Sequence, residues 1–185
     1  MAAYAENKPS EKRTLGEQLN YMGQLEAQFP ESNLRVLYTA SGSYMAAAVL
    51  DQPRAVIEHK LYWAPVATRD EGDYLCGILN APSINRLVEP FQSKGAFGTR
   101  DFDKHVWTGA PIPKFDAADT RHQKIVELAN HDAAVATKVT SGHDPLSSHI
   151  AVRDFQRIRA DIRNTLDSDG VQTQLDTLLH ELRGL

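Results

Sequence analysis

Glu58-His59-Lys60 sets a carboxylate and an ammonium two residues apart. On a β-strand that spacing puts a metal-binding carboxylate and a lysine on one face, the pairing of metal-dependent nucleases. Such chemistry needs a second acid, and Asp51, in the turn beside Pro53, is the nearest in sequence. It stands closer than a nuclease hairpin usually allows. The plainer reading is an ordinary strand, with Val56, Glu58, Lys60 and Tyr62 on one face and Ile57, His59, Leu61 and Trp63 on the other. This reading is favoured.

Other reactive residue types are present without the spacing that reactions need. The seven histidines include no H-x-x-x-H or H-x-H pair, and His122 and His131 are too far apart to be neighbours on a helix face. With a single cysteine, Cys76, a structural zinc and a disulfide framework both lack ligands, and the apolar setting DYLCGIL marks a buried thiol. Ser41-Gly42-Ser43 and Ser141-Gly142-His143-Asp144 give no G-x-S-x-G elbow, and serine and glycine beside aspartate and proline are ordinary turn chemistry. Neither G-x-G-x-x-G nor G-x-x-x-x-G-K-[ST] occurs, so no nucleotide-binding loop is indicated. No cofactor and no metal is expected.

What remains is the segment Ser93 to Lys104. Gly95 and Gly98 allow close backbone approach, while Lys94, Arg100 and Lys104 can meet phosphates and one of them could reach a base edge. The net charge of -4 excludes nonspecific coating of nucleic acid, which rests on many cationic contacts. Any such role is local, and between Arg86 and Lys114 the balance does tip positive, with Arg86, Lys94, Arg100, Lys104 and Lys114 against Glu89, Asp101 and Asp103.

The elements that must position this segment follow from pattern. Residues 1–13 lack periodicity and read as a frayed tail. Thr14 and Glu17 form a capping box ahead of Leu15, Leu19, Met22 and Leu25 at helical spacing, which predicts a helix over 14–28. NLRVLYTA, SYMAAAVLD and AVIEHKLYWAPVA, separated by turn signals, read as an antiparallel meander. Thr68 and Glu71 repeat the capping box before a helix that Asn80-Ala81-Pro82 breaks, and Pro82 suits the first turn of the next helix. A strand is expected at 105–109, Pro111 and Pro113 hold PIPKF extended, and Asp116 or Asp119 caps a helix carrying Ile125, Leu128, Ala129, Val135 and Val139. Beyond Pro145 the pattern is purely helical, one amphipathic helix carrying Ile150 to Leu166 and another Val171 to Leu182, broken at DSDG.

The expected fold is therefore α/β (α+β): a small, mostly antiparallel sheet with flanking helices over 14–140, followed by a helical appendage over 147–185. At 185 residues and 42% apolar composition the chain can bury a real core. No apolar run approaches the roughly 20 residues that cross a bilayer, and MAAYAENKPSEKR is too polar for a secretory signal, so no membrane role and a cytoplasmic location are expected.

The order and wording of the segments carry a resemblance. SGSYMAAAVLDQPRAVIEHKLYWAPV, then DYLCGILNAPSINRLVEPFQSKGAFGTRDFDKHVWTGAPIPKFD, then RHQKIVELA resembles the C-terminal target-recognition (specificity) region of restriction-modification adenine-N6 DNA methyltransferases. In that family a helix ending in leucine-asparagine and a small residue, here Leu79-Asn80-Ala81, leads through a Gly-bearing loop to a strand. An isoleucine-proline step and Phe-Asp, here Ile112-Pro113-Lys114-Phe115-Asp116, then open the next helix. The resemblance covers roughly residues 14–140 and, more loosely, the helical tail, and implies a DNA-facing loop at 93–104, with Lys94, Gly95, Arg100, Lys104 and Lys60 as nucleic-acid-binding residues. The N-P-P-Y-type tetrad and the Gly-rich S-adenosylmethionine loop of the methyltransferases have no counterpart, Asp144-Pro145-Leu146 being the nearest stretch.

The expected function is a DNA sequence-recognition module that does not methylate unaided, whose partners are double-stranded DNA and a methyltransferase catalytic domain or subunit. Two alternatives stand beside it: a metal-dependent nuclease-like domain using Glu58 and Lys60, and a helical assembly protein that binds no DNA and forms a homo-oligomer through its last helices.

Overall fold

A computed structural model describes residues 14–29, 33–93, 101–102, 112–141 and 152–183. Three strands, β1 (Leu34–Thr39), β2 (Ala47–Asp51) and β3 (Leu61–Pro65), form one antiparallel sheet, and the described helices are α1 (Leu15–Leu19), α2 (Arg69–Asn80), α3 (Pro82–Val88), α4 (Thr120–Thr140), α5 (Val152–Ser168) and α6 (Val171–Arg183). The α/β class with a helical C-terminal part is as the sequence pattern indicates.

The sheet order is β2-β1-β3, so the strands do not form a meander: β1 is central and β2 and β3 flank it. Val36 pairs with Val49 on one side and Ala64 on the other. A meander would need a hairpin between β2 and β3, but the chain turns at Gln52 to Ala55 and crosses the end of β1 without strand structure until Leu61. A buried arginine holds this crossover. The Arg35 guanidinium, 1% exposed, donates to the carbonyls of Gln28 (2.8 Å), Gln52 (2.7 Å) and Ala55 (3.0 Å) and lies over the Trp63 ring. The Gln28 carboxamide adds to it, accepting from the Ile57 N–H and donating to the Ile57 carbonyl, as a neighbouring strand would.

The long helix expected over 14–28 stops at Leu19 and continues as two 3-10 turns, Tyr21–Gly23 and Glu26–Gln28. Within the first of these turns Met22 takes a φ of 57° and Gly23 one of 73°, and the Asn20 side chain accepts from the Glu26 N–H. A short polar side chain thus satisfies a backbone donor that a continuous helix would have used. Leu15, Leu19 and Met22 are exposed, so no packing compensates for the lost helix. The capping box at Thr14 and Glu17 is complete. At α2 it is half made: Thr68 accepts from the Glu71 N–H, while the Glu71 carboxylate reaches one residue further, to the Ala67 N–H.

α2 is the middle layer. Leu34, Val36 and Tyr38 of β1, with Val49 of β2, face it from the sheet, and α4 covers its far side. Two glycines permit the close approach. A Cβ on Gly72 would stand 2.9 Å from Val49 Cγ2, and one on Gly77 2.8 Å from Ile125 Cγ2 and 3.3 Å from the Ile125 carbonyl oxygen. Tyr74, Ile78, Leu79, Ile84, Val88, Ile125 and Leu128 build the centre of the core. Fully burying each such side chain is worth roughly 1.5–3 kcal/mol.

The helices after α4 share that core. Val171, Leu175 and Leu179 of α6 are buried in the same apolar cluster. Asp176 ties α6 to α3, its carboxylate accepting from the Ser83 N–H at 2.9 Å and pairing with Arg86 at 2.7 Å. Asp132 of α4 accepts from the Gln172 side chain at 2.8 Å, and His131 pairs with Asp169 at 2.9 Å. Among the described residues, no helix is long and apolar enough to cross a membrane.

Candidate nucleic-acid interface

One end of the sheet gathers three separate stretches of chain. Past the end of β1, the Ala40 N–H donates to the Lys60 carbonyl at 2.9 Å, and the Ala40 carbonyl accepts from the Phe102 N–H at 2.7 Å. Ser41 forms an antiparallel bridge with Asp101, and Phe102, 1% exposed, anchors that pair in the core. The Asp101 carboxylate accepts from the Ser93 hydroxyl at 2.9 Å. Ser93 and Asp101 are the described residues on either side of 94–100, and their hydrogen bond and the Ser41 bridge join these two to the end of the sheet beside Lys60.

The return to the helical side is latched at its far end. Tyr74 of α2 donates its hydroxyl proton to the Pro113 carbonyl at 3.1 Å, and the Asp116 N–H donates to His122 Nδ1 at 2.9 Å. Nδ1 is thus the acceptor nitrogen of a neutral ring, and the proton lies on Nε2, 3.4 Å from the Tyr74 oxygen. The rings of Tyr74, Phe115 and His122 pack together. Burial, reinforced by the charge of Asp119, pushes the Tyr74 hydroxyl up to about 12, so it remains a donor across the ordinary pH range. Asp119 caps α4 through the Arg121 N–H, and the Arg121 guanidinium holds its carboxyl well below the usual range. Of the two aspartates that could open this helix, Asp119 is the cap.

Lys94, Gly95, Arg100 and Lys104, and the strand expected at 105–109, lie outside the described residues. Lys60 is described: it is exposed, in the turn before β3, with its N–H bonded to the Glu58 carboxylate at 2.9 Å. The strand expected to carry Glu58 and Lys60 on one face is absent, because β3 begins only at Leu61. Glu58 instead folds back onto the Lys60 N–H and the His59 ring. Asp51 is the last residue of β2, paired with Leu34, rather than part of a turn. Among the described residues, no group of three or more His, Cys, Asp or Glu side chains converges as a metal site would require. Arg86, one of the cations that tip the local balance, is ion-paired to Asp176. Burial pushes the Cys76 thiol up to about 12, which leaves it packed and unreactive.

Two groups at this end of the sheet escaped sequence reasoning. Tyr44, in the β1–β2 connection, is 53% exposed, and the Arg163 guanidinium of α5 lies 4.9 Å from its ring centre. The SGSYM turn signal located the loop but gave no hint that a distant helix would cross it. No protein-family model matches the chain, and no curated protein sequence is significantly similar to it.

Proposed function

We propose that the chain is a DNA sequence-recognition (specificity) module of a restriction-modification adenine-N6 DNA methyltransferase, lacking the catalytic domain and serving a catalytic partner. The observation that carries the reading is the stem: Ser93 and Asp101 are joined at 2.9 Å and bridged to Ser41, so the cationic, glycine-bearing segment between them leaves from a fixed base beside Lys60. Base readout requires such a base, since contacts to phosphate and to a base edge discriminate only when the presenting backbone is positioned. Lys94 and Arg100 make the principal contacts in this reading, with Gly95 allowing close approach and Lys104 and Lys60 reaching flanking phosphates. An arginine bidentate to guanine contributes roughly 1–3 kcal/mol of discrimination.

A labelled duplex titrated with the chain at increasing salt tests the proposal. Random-sequence DNA should bind no more tightly than about 10⁻⁴ to 10⁻⁶ M at physiological salt, with affinity falling as salt rises. Lys94→Gln/Arg100→Gln should weaken it. Binding that shows no salt dependence at any ionic strength overturns the proposal.

A further inference from the structure

We infer that α5 forms a second limb of the DNA interface, in which Arg159 and Arg163 contact the phosphate backbone and Tyr44 holds Arg163 in place. This rests on the recognition reading and extends it to a helix of the C-terminal part.

The geometry is specific. Gly42, at a φ of 141°, turns the β1–β2 connection just past the Ser41–Asp101 bridge, and Tyr44 follows with its ring half open to solvent. Arg163 lies across that ring at 4.9 Å and is half-buried, whereas Arg159, one helical turn earlier, is exposed. An aromatic face beneath a guanidinium limits its rotation and leaves the N–H edge free to meet a planar or tetrahedral anion.

Charge makes the same case. Arg157 on the same helix has a carboxylate at 4.0 Å in Asp161, but among the described residues no ion pair is made by Arg159 or Arg163. Two like charges one turn apart destabilise a helix by a few tenths of a kcal/mol. A phosphate set between them converts that repulsion into attraction. In a chain of net charge -4, these two arginines, Arg163 stacked on Tyr44 three residues past the Ser41–Asp101 bridge, are cations without an ion-pair partner among the described residues. An acidic protein surface would satisfy the charges equally, and the experiment separates the two.

Duplex binding is measured as a function of salt for the full chain and for Arg159→Gln/Arg163→Gln, Arg163→Lys, Tyr44→Ala and the control Arg157→Gln. The double variant should lower the slope of log affinity against log salt by about 1–2, because each lost phosphate contact removes about 0.9. Arg163→Lys should keep the slope and weaken binding about 2- to 5-fold, the share of a stacked guanidinium at an exposed site. Tyr44→Ala should do the same, and Arg157→Gln should leave both unchanged. If the double variant unfolds, Arg159→Gln, at an exposed position, carries the test with a slope change of about 1. An unchanged slope in a chain whose binding still responds to Lys94→Gln/Arg100→Gln overturns the second limb and leaves the recognition reading standing. A wild-type chain without salt-dependent binding overturns both.

Discussion

The Asn80 carboxamide and the Ala47 peptide exchange two hydrogen bonds, the Ala47 N–H donating to Asn80 Oδ1 at 2.7 Å and the Asn80 amide donating to the Ala47 carbonyl at 3.0 Å. One turn of chain later, Asn85 accepts from the Met45 N–H at 2.7 Å. Side chains at the α2–α3 junction therefore close the edge of β2 as a fourth strand would, and they do so at the point where the helix breaks. Replacing Asn80 by alanine leaves a half-buried donor and acceptor without partners and should cost about 2 kcal/mol. A lowered urea midpoint with unchanged slope would show it.

Arg35 should be irreplaceable by lysine. Its guanidinium satisfies three carbonyls in different directions, and an ammonium on a thinner stem cannot hold the same fan of acceptors. Arg35→Lys should lose about 2–4 kcal/mol, with the 52–60 crossover opening first. Hydrogen exchange at the Ile57 N–H, bonded to Gln28 at 2.6 Å, reads that opening directly.

Gly77 should tolerate alanine less well than Gly72. The added Cβ at Gly77 meets the Ile125 carbonyl oxygen as well as side-chain carbons, whereas at Gly72 it meets valine methyls, which can rotate away. A loss of about 1–3 kcal/mol is expected for Gly77→Ala, in the range for overpacking a tight helix contact. Thermal unfolding of the two variants side by side decides the order.

Asp132 makes stability rise as pH falls through weakly acidic values. Burial pushes its carboxyl up to about 6, opposed by the hydrogen bond from Gln172, and Oδ1 has no partner. Because the folded form binds this proton more tightly than the unfolded chain, the cost of the buried charge is fully present above about pH 6 and is relieved as pH falls towards about 4. The lowered carboxyl of Asp169, caused first by the Val171 N–H and then by His131, acts in the opposite sense at lower pH. Asp132→Asn should add about 1–2 kcal/mol at pH 7.5 and little near pH 4.5. Urea midpoints across that range test the crossover.

Leu175 lies fully buried among residues of α2, α3 and α4, so Leu175→Ala should destabilise the fold by about 2–5 kcal/mol. An assembly built on this face would instead lose subunits while each protomer stayed folded. Sedimentation and chemical unfolding of the same variant separate the two results.

Period and capping made most elements readable. The 3.6-residue recurrence of Leu175, Leu178, Leu179 and Leu182, and the proline at the start of α3, specify helices whose faces are set locally. Sheet order was not readable, because alternation in β1, β2 and β3 fixes which face is buried and not which edge a strand joins. That choice rests with Arg35 and the carbonyls it gathers. The early helix failed for a related reason: Leu15, Leu19 and Met22 keep the right spacing, but nothing covers them, and Asn20 and Gly23 offer the backbone a cheaper path. At the candidate site, Lys60 and the cationic segment could be named from charge alone. Tyr44 and Arg163 could not, since they are brought together by the packing of α5 onto α4.

The Ser93–Asp101 stem makes the chain between these two positions an interchangeable cassette. Lengthening a loop costs only about 0.6 kcal/mol per doubling, and the frame from Ser41 to the Phe102 anchor lies wholly outside residues 94–100. Substitutions and insertions between Ser93 and Asp101 should therefore leave the stability of the scaffold nearly unchanged.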